Sequence, residues 1–259
     1  MSPARQAAFT NAASRWEALI YGDVPNIAVN LAPGSCGANS PRLQETVDDI
    51  VIYATVDSID GPDNVLGAAG PCAIRSSGKL PVAGAMLFDS ADVAQLEADG
   101  QLELVIMHEM GHVLGYGTIW TDLNLLKNAG GSNAHFSGAT AIQAFDRLGG
   151  QGFSGGSKVP VENCVGFPPD TCGGGTQDAH WRELVFVNEL MTGYLDPGGN
   201  PLSVVTTASL GDLGYVVNYA ASDAYLVVNP VLAEGARRGA GRPLANDILR
   251  LPVVEVDAR

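Results

Sequence analysis

The stretch Val105-Ile106-Met107-His108-Glu109-Met110-Gly111-His112-Val113-Leu114-Gly115 sets the pattern H-E-x-x-H inside an apolar run. On a helix, positions i and i+4 share one face, so both imidazoles can grip one Zn²⁺ while the intervening Glu stands beside the metal-bound water. Leu102, Val105, Ile106, Val113 and Leu114 would bury such a helix against a core. Two unpaired polar rings are costly there, and a bound metal removes that cost. The pattern therefore predicts a core helix carrying a metal site rather than a solvated helix with histidines on its surface.

A chain of 259 residues has room for a sizeable core, and we read it as one catalytic unit. With 46% hydrophobic and 16% charged residues it is globular, and it has no apolar run long enough to span a bilayer. A net charge of −14 argues against nucleic acid and against an anionic membrane as partners, since both call for clustered Lys and Arg. A monomer is expected. Cys36, Cys72, Cys164 and Cys172 contain no C-x-x-C pair and are expected to form two disulfides, Cys36 with Cys72 and Cys164 with Cys172. Each pair brackets a Gly/Pro-rich stretch that a staple would constrain. Disulfides point to secretion. The N-terminal residues show no signal-peptide apolar region, so an extracellular form would have its leader absent from this chain.

Ala4 to Ile20 reads as an amphipathic helix ending at Tyr21-Gly22-Asp23. Asp49 to Val56 is rich in β-branched residues and reads as a buried strand. The acidic loop Asp57 to Asn64 that follows is expected to be a solvated turn, with Ca²⁺ as the alternative occupant. Val82 to Asp89 is a second strand. If its edge were open, an extended peptide could pair along Ala85 to Phe88. Between His112 and His180 lies a long glycine-rich stretch in which only Ala139 to Leu148 looks helical, expected to form a wall or lid for a cleft. Past Tyr219, short Val/Leu stretches among Pro, Gly and Arg read as a peripheral C-terminal extension.

Catalytic zinc takes three protein ligands and leaves a fourth position for water, so His108 and His112 are one short. In compact metzincins the motif H-E-x-x-H-x-x-G-x-x-H supplies the third ligand six residues after the second, and here that position is Thr118. His135 and His180 remain as candidates.

The sequence resembles the leishmanolysin-like metallopeptidases, metzincins in which a long insertion precedes the third histidine. The likeness runs through Phe9 to Trp16 with Asp23, Leu80 to Asp89, the helix up to Trp120, Val159 to Asn163, His180-Trp181-Arg182-Glu183, Asn188 to Gly193, and Leu210 to Tyr215. It implies zinc ligands His108, His112 and His180, with Glu109 as general base and acid and Met191 in the Met-turn beneath the imidazoles. His135 is then surplus, a surface loop residue. Some metzincins place a further metal-binding Tyr two residues after this Met; here Gly193 stands there, and Tyr194 comes one residue late.

The expected fold is α+β and metzincin-like: a twisted mixed sheet with an active-site helix, a long insertion, and a largely irregular C-terminal part. The catalytic domain would span 1–219, divided into 1–115, an insertion at 116–179, and 180–219, with 220–259 as the extension. The expected activity is zinc-dependent endopeptidase cleavage of extended polypeptides. Two alternatives are a non-catalytic zinc-stabilised binding module and a small-molecule metallohydrolase. Retention of Glu109 speaks against the first, and an open strand edge beside the metal would speak against the second.

Overall fold

The computed structural model describes residues 1–168, 171–196, 198–227 and 241–257, and has a mixed α+β architecture with several sheets. Helix α1 (Pro3–Leu19) starts where its sequence allows: Ser2 accepts from the Arg5 N–H, and Pro3 occupies the first turn, where its missing N–H costs nothing. Strands β1 (Ile27–Leu31) and β2 (Leu43–Val47) pair as a hairpin, followed by β3 (Val51–Asp57), β4 (Gly67–Arg75) and β5 (Pro81–Asp89). Asp89 caps α2 (Ser90–Ala98), and α3 (Leu102–Val113) carries H-E-x-x-H. Regular structure is then sparse. Strands β6 (Leu126–Lys127), β7 (His135–Phe136) and β8 (Val159–Pro160) form a small sheet, with α4 (Ala139–Phe145) and α5 (Gln151–Ser154) lying between β7 and β8 in sequence. The remaining elements are α6 (Glu183–Phe186), β9 (Tyr194–Leu195), α7 (Val204–Leu213), β10 (Arg242–Pro243), β11 (Ile248–Leu249) and β12 (Val254–Val256).

The main sheet runs β3, β5, β4, with β11 and β12 along the far side of β4. Strands β3 and β5 are parallel, β4 is antiparallel to β5, and β11 and β12 run parallel to β4. Met86 and Phe88 of β5 join the large core with α1 and α3, while Val82 and Ala85 join a smaller cluster with Ile27, Val29 and Leu43 of the hairpin. Both faces of β5 are therefore covered. The Cys36–Cys72 disulfide ties the hairpin loop to β4, and Cys164–Cys172 closes a short loop, as the cysteine spacing suggested.

Three expectations are corrected and one is narrowed. The strand at residues 51–57 is not buried: among the described residues β3 pairs with β5 alone, and its side chains are half-buried or exposed, as a sheet edge allows. Strand β5 is not an edge, because it sits between β3 and β4. A peptide therefore cannot add along Ala85–Phe88. The glycine-rich stretch after α3, expected as a wall or lid, does not stand off as a lid: it packs Tyr116, Trp120, Phe136 and Phe145 into the main core, as a wall would. Residues 228–240 of the C-terminal extension lie outside the described residues, but 241–257 are not peripheral: they add to the main sheet and bury Leu244 and Asp247.

Helix α3 lies close on the sheet because β5 has a glycine beneath it. A Cβ on Gly84 would sit 2.4 Å from Val113 Cγ1 and 2.9 Å from the Gly70 carbonyl oxygen. The second contact is backbone and cannot move aside. Gly84→Ala is expected to cost about 1–3 kcal/mol, as overpacking a tight core does. Denaturant unfolding checks this, and an unchanged midpoint would contradict the packing described.

Candidate metal centre

Two histidines one helical turn apart meet a third from far along the chain because of how α3 ends. Gly115 adopts φ +102°, and the Gly115 N–H donates to His112 O at 3.1 Å while the Tyr116 N–H donates to Gly111 O at 3.0 Å. This bond pair is a Schellman termination, for which glycine is favoured because its left-handed conformation carries no Cβ penalty. The turn brings the Tyr116 carbonyl 2.9 Å from His112 Nδ1. His108 Nδ1 lies 2.8 Å from Leu190 O, and His180 Nδ1 lies 3.0 Å from Thr176 O. A carbonyl can only accept, so each ring donates through Nδ1 and keeps its lone pair at Nε2.

Those three Nε2 atoms converge, at separations of 2.9, 3.0 and 3.0 Å. Three lone pairs facing one another repel unless a cation sits among them. Metal–nitrogen bonds to zinc are about 2.0–2.1 Å, so one ion can touch all three atoms of a triangle this size. The residues present thus fit a metal ion. Each histidine is 1% exposed. Burial lowers the pKa of His108 to about 4 and lowers those of His112 and His180 well below the ordinary value, with neighbouring imidazoles adding to the shift in the last two. Neutral rings are the form that binds a metal.

Glu109, next to His108 on α3, is 1% exposed; its Oε1 accepts from no N–H or O–H, and its carboxyl meets that of Asp247. A Cβ on Gly67 would come 3.3 Å from Glu109 Cδ, so β4 passes directly over the carboxyl. Burial, and then the adjacent Asp247 carboxylate, push the Glu109 carboxyl well above its ordinary range. Asp247 is itself raised to about 7 by burial, against the N–H groups of Gly67 and Leu66 that favour its charged form. A bound dication would oppose the rise at Glu109.

His180 is positioned by its neighbour. Trp181 is fully buried, stacks on Trp120 and Phe186, and donates from Nε1 to Thr206 Oγ1 at 2.8 Å. Its backbone N–H donates to Met191 O at 3.0 Å, tying the chain next to His180 to the turn at Met191. That turn is held by Glu189, a buried carboxylate accepting from the Met191 N–H at 2.6 Å and from the Ser203 N–H and hydroxyl at 2.9 and 2.7 Å. Met191 is fully buried, with its tip where a Cβ on Gly111 would come within 2.9 Å of Cε. Gly111 thus gives the methionine room beneath α3.

The other sequence candidates fall elsewhere. The Thr118 hydroxyl donates to His112 O at 2.8 Å and serves the helix end. His135 lies in β7, a short strand rather than a loop, with Nδ1 on Asn133 O at 2.7 Å, and is not in the histidine group. The Tyr194 hydroxyl donates to Thr171 O at 2.7 Å, while a Cβ on Gly193 would lie 2.0 Å from Thr176 Cγ2, so no larger residue fits there. The acidic loop is held from outside by the end of β5: Asp89 Oδ2 accepts from the N–H groups of Ile59, Asp60 and Gly61. Among the described residues the one other candidate metal group is Glu162, Cys164 and Cys172, two members of which are joined in a disulfide. Sequence reasoning missed Asp247, Glu189 and Glu162. Glu162 accepts from the N–H groups of Asn163, Cys164 and Glu183 and so ties its own loop to the chain just after His180.

Residues 40–139 match the peptidase M8 (leishmanolysin) family model, fewer than half of the chain but including α3 with His108, Glu109 and His112. Comparison with curated proteins gives no match. The resemblance to leishmanolysin-like metallopeptidases therefore holds, and it supports a metallopeptidase. The match stops short of His180, which the geometry brings to the other two histidines. Among the described residues no helix is long and apolar enough to cross a membrane, and the two disulfides fit an extracellular or surface protein.

In the metal-free protein, all three imidazoles are expected to remain neutral Nδ1–H tautomers as pH falls through the ordinary imidazole range near 6.5, because burial lowers every one of their pKa values. Imidazole nitrogen shifts measured against pH check this. A ring among the three that titrates near 6.5 would contradict the described site.

Proposed function

We propose that the protein is a zinc-dependent endopeptidase with a metzincin-like fold, acting on extended polypeptides outside the cell. His108, His112 and His180 are the zinc ligands, Glu109 is the general base and acid, and Met191 forms the apolar floor of a Met-turn. The observation that carries this reading is the convergence of three neutral Nε2 atoms, two of them on the helix that also carries the buried Glu109. A structural zinc site would use four protein ligands, and the histidine group has three.

Zinc, when bound, supplies Lewis acidity: it lowers the pKa of a water molecule and polarises a carbonyl. The chain's own groups then divide the work. The three Nδ1 donors fix the rings, so the metal-facing nitrogens need not reorganise. Glu109 takes a proton from the attacking water and delivers it to the leaving amine. Its buried setting favours the protonated form and so suits it to hold that proton between the two steps. The site lies beneath β4, and an extended peptide would pair with that strand's backbone where β11 and β12, which now flank it, are displaced.

Glu109→Ala is expected to retain zinc and to slow cleavage of an unstructured protein by about 10²–10⁴-fold, the usual contribution of a general base. His180→Ala is expected to lose both zinc and activity, and His135→Ala neither. Metal analysis with a cleavage assay decides. Full activity in Glu109→Ala, or zinc loss in His135→Ala alone, would overturn the assignment.

A further inference from the structure

Residues 241–257 cross the face of the site. The segment enters on one rim, where β10 pairs antiparallel with β9 and the Leu244 N–H donates to Gly193 O at 2.9 Å. It leaves along the other rim, where Ile248 and Leu249 face Ala68 and Ala69, and Val254 faces Ala73. Between the rims lies Asp247, whose Oδ1 accepts from the N–H groups of Leu66 and Gly67 at 2.8 and 3.2 Å and whose carboxyl meets Glu109. The Arg250 N–H donates to Ala69 O at 2.7 Å and the Val253 N–H to Cys72 O at 3.3 Å. These are the main-chain groups of β4 that an incoming strand would need.

Both rims are shaped for a passing backbone. A Cβ on Gly70 of β4 would lie 2.0 Å from Arg250 O, and one on Gly175 of the opposite rim would lie 2.2 Å from Asp247 O. Only glycine allows so close an approach of two chains. The outer side chains of the segment hold it weakly, for Leu251 and Val253 are 64% and 76% exposed. The grip comes from backbone pairing, from Leu244 and Asp247, and from Arg242 on Asp92 at 2.8 Å.

We infer that residues 241–257 are an intramolecular ligand of the substrate cleft: they occupy the β4 edge that an extended peptide would use, set Asp247 against Glu109, and hold the enzyme in a self-inhibited state. This rests on the endopeptidase reading only for the meaning of the site, since the occupancy of the edge is structural. Active enzyme would require the segment to be displaced or cut, after which β4 offers its backbone to a substrate.

The test compares the full chain with the double variant Arg250→Pro and Val253→Pro, which removes both N–H donors from half-exposed and exposed positions. Zinc content and a cooperative melt establish that the variant is folded; if it is not, Asp247→Ala takes its place. A tripeptide hydroxamate should bind the variant at least tenfold more tightly than the full chain, and cleavage of an unstructured protein should rise by a similar factor. A synthetic peptide of residues 241–257, added to the variant, should reverse both gains. Equal hydroxamate affinity in the two chains, or binding to neither, overturns the proposal. Tighter hydroxamate binding without cleavage by either chain would instead overturn the endopeptidase reading and uphold the cleft assignment.

Discussion

Three imidazole nitrogens pointed at one another inside a dry core are a repulsive arrangement unless a cation lies among them, and much of the chain is organised to keep them there. Each ring is locked from behind by a backbone carbonyl: Leu190 for His108, Tyr116 for His112 and Thr176 for His180. Those carbonyls belong to three different turns. The site's geometry therefore depends on backbone held far outside α3.

Each turn has its own physical support. The Schellman termination at Gly115 delivers the Tyr116 carbonyl; Glu189, bonded to Met191 and Ser203, fixes the turn containing Leu190. The buried stack of Trp120, Trp181 and Phe186 locks the chain next to His180. Losing any of these supports should loosen the metal site without touching a ligand, as outer-shell partners of metal sites do.

Helix α3 was legible because two periodicities coincide there, the i, i+4 histidines and the apolar positions from Leu102 to Leu114. The partner histidine was legible only through resemblance, since nothing in Ala179-His180-Trp181 distinguishes it locally from Ala134-His135-Phe136. Strand β4 went unread. Its first seven residues, Gly67-Ala68-Ala69-Gly70-Pro71-Cys72-Ala73, are small, with neither alternation nor β-branching, and they become a strand because partners on both sides and α3 above supply the order. That omission made β5 look like an edge. An apolar run such as Val82 to Phe88 reports that a strand is buried, and says nothing of how many neighbours flank it. Residues 241–257 were misread for a related reason: their partners lie about 180 positions earlier, and a lone Asp such as Asp247 has no local pattern that marks it.

The histidine triangle and the buried Glu109 lie beneath β4, whose far side is covered by the chain's own residues 241–257. X-ray absorption at the zinc edge on the purified full chain reports the ligands of that centre. The proposed three-histidine zinc site predicts one zinc per chain with three imidazole nitrogens at about 2.0–2.1 Å and a remaining oxygen ligand. A site completed by sulfur or by a fourth imidazole, or a folded chain that takes up no zinc, would contradict it.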